Sequence, residues 1–183
     1  MQKWKIYSNF RVPNWVCYKM HVVPLGLASV LHCNIVAHLS FFWLLLHDRL
    51  NTRDLLARKN FPLPSYECAT LQCNQQETLI HLFWNCPFAS QCWDFICPLR
   101  NNNLSPLEAV HDMRDKINQP FFMEIIILAA WGIWMVRNNK IFKNIRPSFQ
   151  EWKVIFFNEL KNLNCRIRAK YAHQFQAWRH LHL

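Results

Sequence analysis

Residues 66–89 read YECATLQCNQQETLIHLFWNCPFA and place Cys68, Cys73, His81 and Cys86 within nineteen positions. Three thiols and one imidazole are a ligand set of closed, tetrahedral Zn²⁺ sites. Four residues separate Cys68 from Cys73 and another four separate His81 from Cys86, and such spacings let paired ligands reach one ion. The stretch therefore predicts a structural zinc ion. Buried free thiols are the alternative interpretation of the same residues.

The segment around Cys86 contains a predicted break between two helices. His81 and Cys86 would lie about 140° apart on a continuous helix, so they would not share a face. Pro87 disfavours the helical conformation at Cys86 and suits the first position of a new helix, with Cys86 as its N-cap. A helix N-terminus lowers the pKa of a thiol and favours the thiolate that a metal needs. Cys92 and Cys97 follow on that helix and are expected to pack in the core, with Cys92 as a reserve ligand.

The composition favours a helical protein without catalytic loops. Of 183 residues 52% are hydrophobic, enough for a core, and only Gly26 and Gly132 are glycines. Two isolated glycines cannot build a Walker A or dinucleotide-binding loop. The eleven acidic residues include no adjacent aspartate pair for two-metal catalysis, and four protein ligands leave a zinc ion no open position. We therefore expect a protein that is not an enzyme.

The chain shows no membrane-directed segment. The stretch MQKWKIYSNFRVPNW lacks the apolar core of a signal peptide. The longest apolar run, residues 125–136, is shorter than the roughly 20 residues that cross a bilayer. We expect no membrane partner and an intracellular, reducing compartment, without resolving nucleus from cytoplasm. In such a compartment, close cysteine spacings favour metal binding over disulfides.

Periodicity and capping residues predict a mainly α fold, with a small zinc-stabilised helical module followed by long amphipathic helices. Asn51, Ser105 and Ser148 are the expected N-caps, and apolar steps of three and four predict one uninterrupted last helix. Trp131 and Trp134 are expected to be largely buried between two helical lobes. The expected helices lie near residues 35–47, 51–59, 87–97, 105–117, 120–143 and 149–180.

Four regions follow from this pattern. They are a poorly defined N-terminal segment (1–34), the zinc-binding module (35–97), a linker with a short helix (98–119) and a basic helical C-terminal region (120–183).

The positive charge is concentrated near the C-terminal end. The net charge is +10, and residues 137–183 hold ten basic residues but only Glu151 and Glu159. Such a segment indicates a polyanionic partner, here RNA or single-stranded DNA, although a solvated helix face has the same composition. Aromatic residues interleave with these charges and are expected to pack inward rather than to stack on bases; they are Phe142, Phe149 and Trp152. The candidate contacts are Arg137, Lys140, Lys143, Lys153, Lys161 and Arg168.

Three blocks of this sequence resemble the zinc-binding region that follows the polymerase in plant LINE-type (non-LTR) reverse transcriptases. They are FFWLLLHDRLNTRDLLARKNF (41–61), the cysteine–histidine stretch ending in ETLIHLFWNCPFASQCW (77–93) and WGIWMVRNNKIF (131–142). The resemblance implies that Cys68, Cys73, His81 and Cys86 hold zinc. Trp43 matches the tryptophan of the family's first helix, and Trp131, Trp134, Arg137 and Asn138 match its last block. The family usually has two residues between the first two cysteines, whereas this chain has four.

The resemblance also implies a function. It predicts a non-catalytic module that assists binding of nucleic acid, mainly RNA, in a chain that looks like a detached fragment of a retroelement. The alternative is a helical protein-interaction module, in which the long C-terminal helix pairs with a partner helix, or a remnant without selected function.

Overall fold

The computed structural model describes residues 30–70, 73–163 and 167–182, and over these residues the protein is mainly α-helical with no strand. An isolated antiparallel bridge joins Glu67 and Gln76. The mainly α fold predicted from the sequence is confirmed over these residues. Residues 1–29 lie outside the described part of the chain. The helices are α1 (Val30–Leu46), α2 (Arg53–Arg58), a π-helix (His81–Asn85), α3 (Pro87–Ile96), α4 (Pro106–Ile117), α5 (Phe122–Lys143), α6 (Phe149–Leu163), a 3₁₀ turn (Ala169–Tyr171) and α7 (Ala172–His182).

The chain divides into two units between Leu50 and Asn51. In the described part of the first unit, α1 is followed by a short turn. Trp43 of α1 contacts the ring of His47, with ring centroids 4.5 Å apart, and the guanidinium of Arg49 lies 5.3 Å from the Trp43 ring. Trp43 therefore contacts residues of the turn that directly follows α1.

The helix starts of the second unit follow local capping chemistry, with one correction. Ser105 and Glu108 form the predicted capping box at α4. At α2 the N-cap is Thr52 and not the predicted Asn51, because the Thr52 hydroxyl accepts from Leu55 N at 3.3 Å. The backbone carbonyl of Asn51 instead accepts a hydrogen bond from Arg137.

The core of the second unit is centred on Trp152, which α6 buries completely against α5. Its indole N–H donates to the backbone carbonyl of Ala129 at 3.1 Å, and its ring stacks on Phe156. Gly132 of α5 faces this ring: a Cβ there would lie 2.8 Å from the indole atoms. Glycine is required here by close helix packing rather than by backbone conformation.

The predicted single helix over residues 149–180 is wrong. Helix α6 ends at Leu163, Arg168 is extended, and α7 begins at Ala172. A straight helix over this range would be about 48 Å long and would carry its last aromatics away from the core. The break instead lets Phe175 pack edge-on against Phe121, with ring centroids 5.1 Å apart. Apolar periodicity survives such a break because both helices bury one face.

Candidate metal centre

The four predicted ligands come from a short loop and from the junction of two helices. Cys68 and Cys73 lie in a loop that the Glu67–Gln76 bridge closes, and Cys68 N donates to Gln75 O at 2.7 Å. His81 begins the π-helix and Cys86 follows its end. Local backbone structure therefore positions three of the four ligands. Cys68 is held by the pairing next to the bridge, His81 by the start of the π-helix, and Cys86 by the start of α3.

The π-helix is a feature that the sequence did not predict. Cys86 N donates to His81 O at 2.7 Å, a bond between residues five apart, and such wide turns are frequent at functional sites. The predicted break at Cys86 is confirmed, because this residue is extended and caps α3 with Pro87 in the first turn. The wide turn followed by the break brings His81 and Cys86 to one point.

The four side chains converge as a metal shell requires. Their ligand atoms all lie within 4.8 Å of one another. Cys68 Sγ lies 3.9 Å from Cys86 Sγ, and Cys73 Sγ lies 3.0 Å from His81 Nε2. Zinc–sulfur bonds of about 2.3 Å in a tetrahedron place two sulfurs about 3.8 Å apart, so the Cys68–Cys86 separation fits zinc. Each of the four residues is at most 9% exposed.

The thiols of the cluster differ in acidity. The hydrogen bond from Cys68 lowers the pKa of Cys86 to about 5, and further hydrogen bonds from Thr70 and from the first turn of α3 act in the same direction. The same Cys68–Cys86 hydrogen bond, together with burial, raises the pKa of Cys68. Burial raises the pKa of Cys73. Of these three thiols, Cys86 at the N-terminus of α3 is the one whose pKa is lowered.

Cys92 and Cys97 lie in the core and outside the cluster. Burial raises the pKa of both thiols, which keeps them protonated and poor metal ligands. The reserve role considered for Cys92 has no geometric support, because Cys68 itself belongs to the cluster.

A buried ion pair joins α5 to the loop that carries Cys68 and Cys73 (residues 67–77, called the metal loop below). Glu77 is 0% exposed and Arg137 is 3% exposed, and Arg137 Nη2 lies 2.6 Å from Glu77 Oε1. The Glu77 carboxylate also accepts from the backbone N–H groups of Arg53 at 3.0 Å and Ala69 at 3.3 Å. Ala69 is the neighbour of the ligand Cys68. Glu77 therefore connects the metal loop to both α2 and α5 through hydrogen bonds.

Arg137 is consequently not a nucleic-acid contact, which corrects the prediction from sequence. Its guanidinium is committed to Glu77, the Asn51 carbonyl and the Asn138 side chain. It also lies 4.7 Å above the Trp134 ring, which stacks on Phe83 next to the metal segment. The signal available in the sequence was the position of Arg137 directly after the apolar run 125–136. An arginine that is buried with such a run needs a partner of opposite charge.

The two tryptophans of the last block are half-buried rather than largely buried. Trp134 stacks on Phe83, with ring centroids 6.3 Å apart, and the Arg137 guanidinium lies 4.7 Å from its ring. Trp131 lies one helical turn earlier, at the same partial exposure.

The other candidate cations are at the surface or partly so. Lys143, Lys161 and Arg168 are exposed, and Lys140 donates to Asn144 Oδ1 at 2.8 Å. Lys153 is half-buried, with its ammonium 4.8 Å from the Phe95 ring.

Phe142 did not pack inward as expected. It is 76% exposed, next to Lys143 at the end of α5. Trp152 is fully buried and Phe149 half-buried, so these two aromatics are the ones that pack inward.

Four buried donors, carried by a short loop and by the junction of two helices, form a ligand set that could hold a metal ion. The family model described as zinc-binding in reverse transcriptase matches residues 15–93, which contain all four donors. This part of the chain is similar to the reverse-transcriptase zinc-binding family. Searches of curated proteins and of solved structures gave no match. Within the described residues, no helix has the length and apolar character needed to span a membrane.

Proposed function

We propose that the chain is a non-catalytic, zinc-stabilised module of a plant LINE-type retroelement reverse transcriptase, and that it is a detached fragment that assists binding of RNA or single-stranded DNA. The observation that carries the proposal is the convergence of Cys68, Cys73, His81 and Cys86 within 4.8 Å. Four protein donors fill a tetrahedral shell, so zinc would fold the loop and leave no position for a reacting water.

The zinc shell also supports an intracellular location. Three thiolates must stay reduced to bind the ion, and a reducing compartment keeps them so. The buried free thiols of Cys92 and Cys97 are consistent with the same compartment, because a reducing environment keeps cysteines unpaired.

The support for nucleic-acid binding is the charge at the end of α5 and after it. The exposed Lys143, Lys161 and Arg168 belong to a segment with only two acidic residues, and one of those, Glu151, accepts a hydrogen bond from Asn139. Phosphate contacts of this kind carry affinity without sequence preference. The exposed Phe142, the chain neighbour of Lys143, adds an aromatic face on which an unpaired base could stack.

The exposed apolar side chains favour the second candidate, a protein-interaction module. Val154 of α6 is 61% exposed and Leu181 of α7 is 83% exposed. A partner helix would cover such positions on an otherwise amphipathic helix. This candidate differs from the first in predicting binding that is insensitive to salt.

Metal content tests the zinc proposal. The full chain is purified under reducing conditions and its zinc is measured by mass spectrometry, with one ion per chain expected. Cys86→Ser should remove most of the zinc, because it deletes a ligand at the centre of the cluster. Cys92→Ser is the matched control on the same helix and should retain one ion. A wild-type protein without zinc, or a Cys86→Ser protein that keeps it, contradicts the proposal.

Salt dependence tests the nucleic-acid proposal. Fluorescence anisotropy with a single-stranded oligonucleotide should show affinity that falls steeply with salt. Replacing Lys143 and Lys161 by Gln should flatten the logarithmic salt slope by about 1.4, since each single-strand phosphate contact contributes about 0.7. The same replacement at Lys59 and Arg114 is the control for net charge. Equal effects of the two pairs, or binding without salt dependence, would favour the protein-interaction candidate.

A further inference from the structure

Thr70 is a buried residue of the metal loop that the sequence did not single out. It is 3% exposed, and its Oγ1 lies 2.9 Å from Cys68 Sγ and 2.8 Å from Cys86 Sγ. The two sulfurs are themselves 3.9 Å apart, so the hydroxyl lies against both. The other two donors, Cys73 and His81, form their own close pair.

The chemistry of the cluster decides which atom donates. A thiol that binds zinc loses its proton, and the resulting thiolate can only accept a hydrogen bond. In the loaded centre the Thr70 hydroxyl is therefore the donor, and Cys68 or Cys86 is the acceptor. A threonine hydroxyl has one proton, so the two sulfurs share it or exchange it.

Burial makes this hydrogen bond matter. A buried hydroxyl needs a partner, and the two sulfurs are the partners of the Thr70 side chain among the described residues. Hydrogen bonds from outside the ligand shell orient metal ligands and tune their basicity. A donor at Thr70 would hold two sulfurs at the separation that an ion requires and would withdraw charge from them.

We propose that Thr70 is a positioning residue of the metal centre, whose hydroxyl donates to the Cys68 and Cys86 thiolates and thereby raises the affinity for the metal. The proposal rests on the proposed function in one respect, namely that the cluster binds zinc. It adds a residue that is not a ligand and whose effect is exerted through two ligands.

The test compares Thr70→Val with Thr70→Ser. Valine keeps the shape of threonine and removes the hydroxyl, whereas serine keeps the hydroxyl and removes the methyl group. Zinc affinity of the full chain is measured by competition with a chromophoric chelator. We expect Thr70→Val to weaken binding about 10- to 100-fold, the range for loss of such outer hydrogen bonds, and Thr70→Ser to stay within about 3-fold of wild type.

A spectroscopic measurement separates this role from simple packing. Co²⁺ alone is bound in place of zinc, and the sulfur-to-cobalt charge-transfer band is recorded. Loss of a hydrogen bond raises the energy of the sulfur lone pairs, so Thr70→Val should move the band to longer wavelength while Thr70→Ser leaves it in place. Wild-type affinity with an unmoved band in Thr70→Val overturns the proposal, as does equal weakening by both variants. A wild-type chain that binds no metal would instead overturn the proposed function.

Discussion

The buried pair of Glu77 and Arg137 offers the sharpest perturbation of this structure. Replacing Arg137 by Met removes the positive charge and leaves the Glu77 carboxylate buried, with only the backbone N–H groups of Arg53 and Ala69 still donating to it. Breaking a buried pair by removing one partner costs about 3–5 kcal/mol. A domain has about 5–15 kcal/mol of stability in total, so the loss should be large in any unfolding experiment.

The sign of the coupling energy between the Arg137 and Glu77 substitutions is more informative than the free-energy change of Arg137→Met alone. Glu77→Gln in the Arg137→Met background removes the stranded charge. Its single amide oxygen can keep one of the two hydrogen bonds from the backbone N–H groups of Arg53 and Ala69. The double variant should therefore be more stable than Arg137→Met alone, since replacing both charges of a buried pair is often close to neutral. Urea unfolding of zinc-saturated protein measures the free energies, with unchanged slopes as the sign of unchanged compactness.

An exposed pair supplies the matched control. Asp54 and Arg58 lie one turn apart on α2, 3.2 Å from each other, with the Arg58 side chain 43% exposed. Arg58→Met should cost about 0.5 kcal/mol or less, because solvent screens such pairs. The reasoning is refuted if Arg137→Met costs less than about 1 kcal/mol, or if adding Glu77→Gln destabilises it further.

Two further predictions concern the packing of the C-terminal helices. Gly132→Ala should destabilise the protein by about 1–3 kcal/mol in urea unfolding despite the better helix propensity of alanine, because the Trp152 indole lies 2.8 Å from the new Cβ and is held by its own hydrogen bond; a stabilised variant would contradict this. Phe175→Ala should cost about 3–5 kcal/mol by the same measurement, because the ring is fully buried against Phe121. Leu181→Ala on the same helix should be near neutral, since this side chain is 83% exposed, and equal costs would refute the packing of α7.

The sequence predicted the features that depend on neighbours along the chain. The ligand set, the break at Cys86 and the capping box at Ser105 each require only a few adjacent residues, and the structure contains all three. Interactions across the fold were missed. Nothing near Glu77 identifies a partner sixty positions later, and apolar periodicity cannot report that the helix is interrupted at Arg168.

The same limit explains why Arg137 was assigned to the wrong role. A count of charges along residues 137–183 treats every cation as equivalent, but Arg137 is buried beside Trp134 while Lys143, six positions later, is exposed. The exposed Phe142 shows the converse error, since its apolar character predicted burial. Both residues lie near the end of α5, where the helix passes from the core into solvent.

The position of Glu77 has a consequence for where the metal-binding module ends. Its carboxylate is fully buried, and the charge that compensates it comes from α5 and not from the residues around the ligands. Phe83 of the π-helix likewise stacks on Trp134 of α5. A fragment that stops before α5 would leave the Glu77 carboxylate without its cation and would lose the contact between Phe83 and Trp134. Zinc can organise the four ligands locally, but the loop that carries them is held by α5, so the metal centre and this helix form one energetic unit.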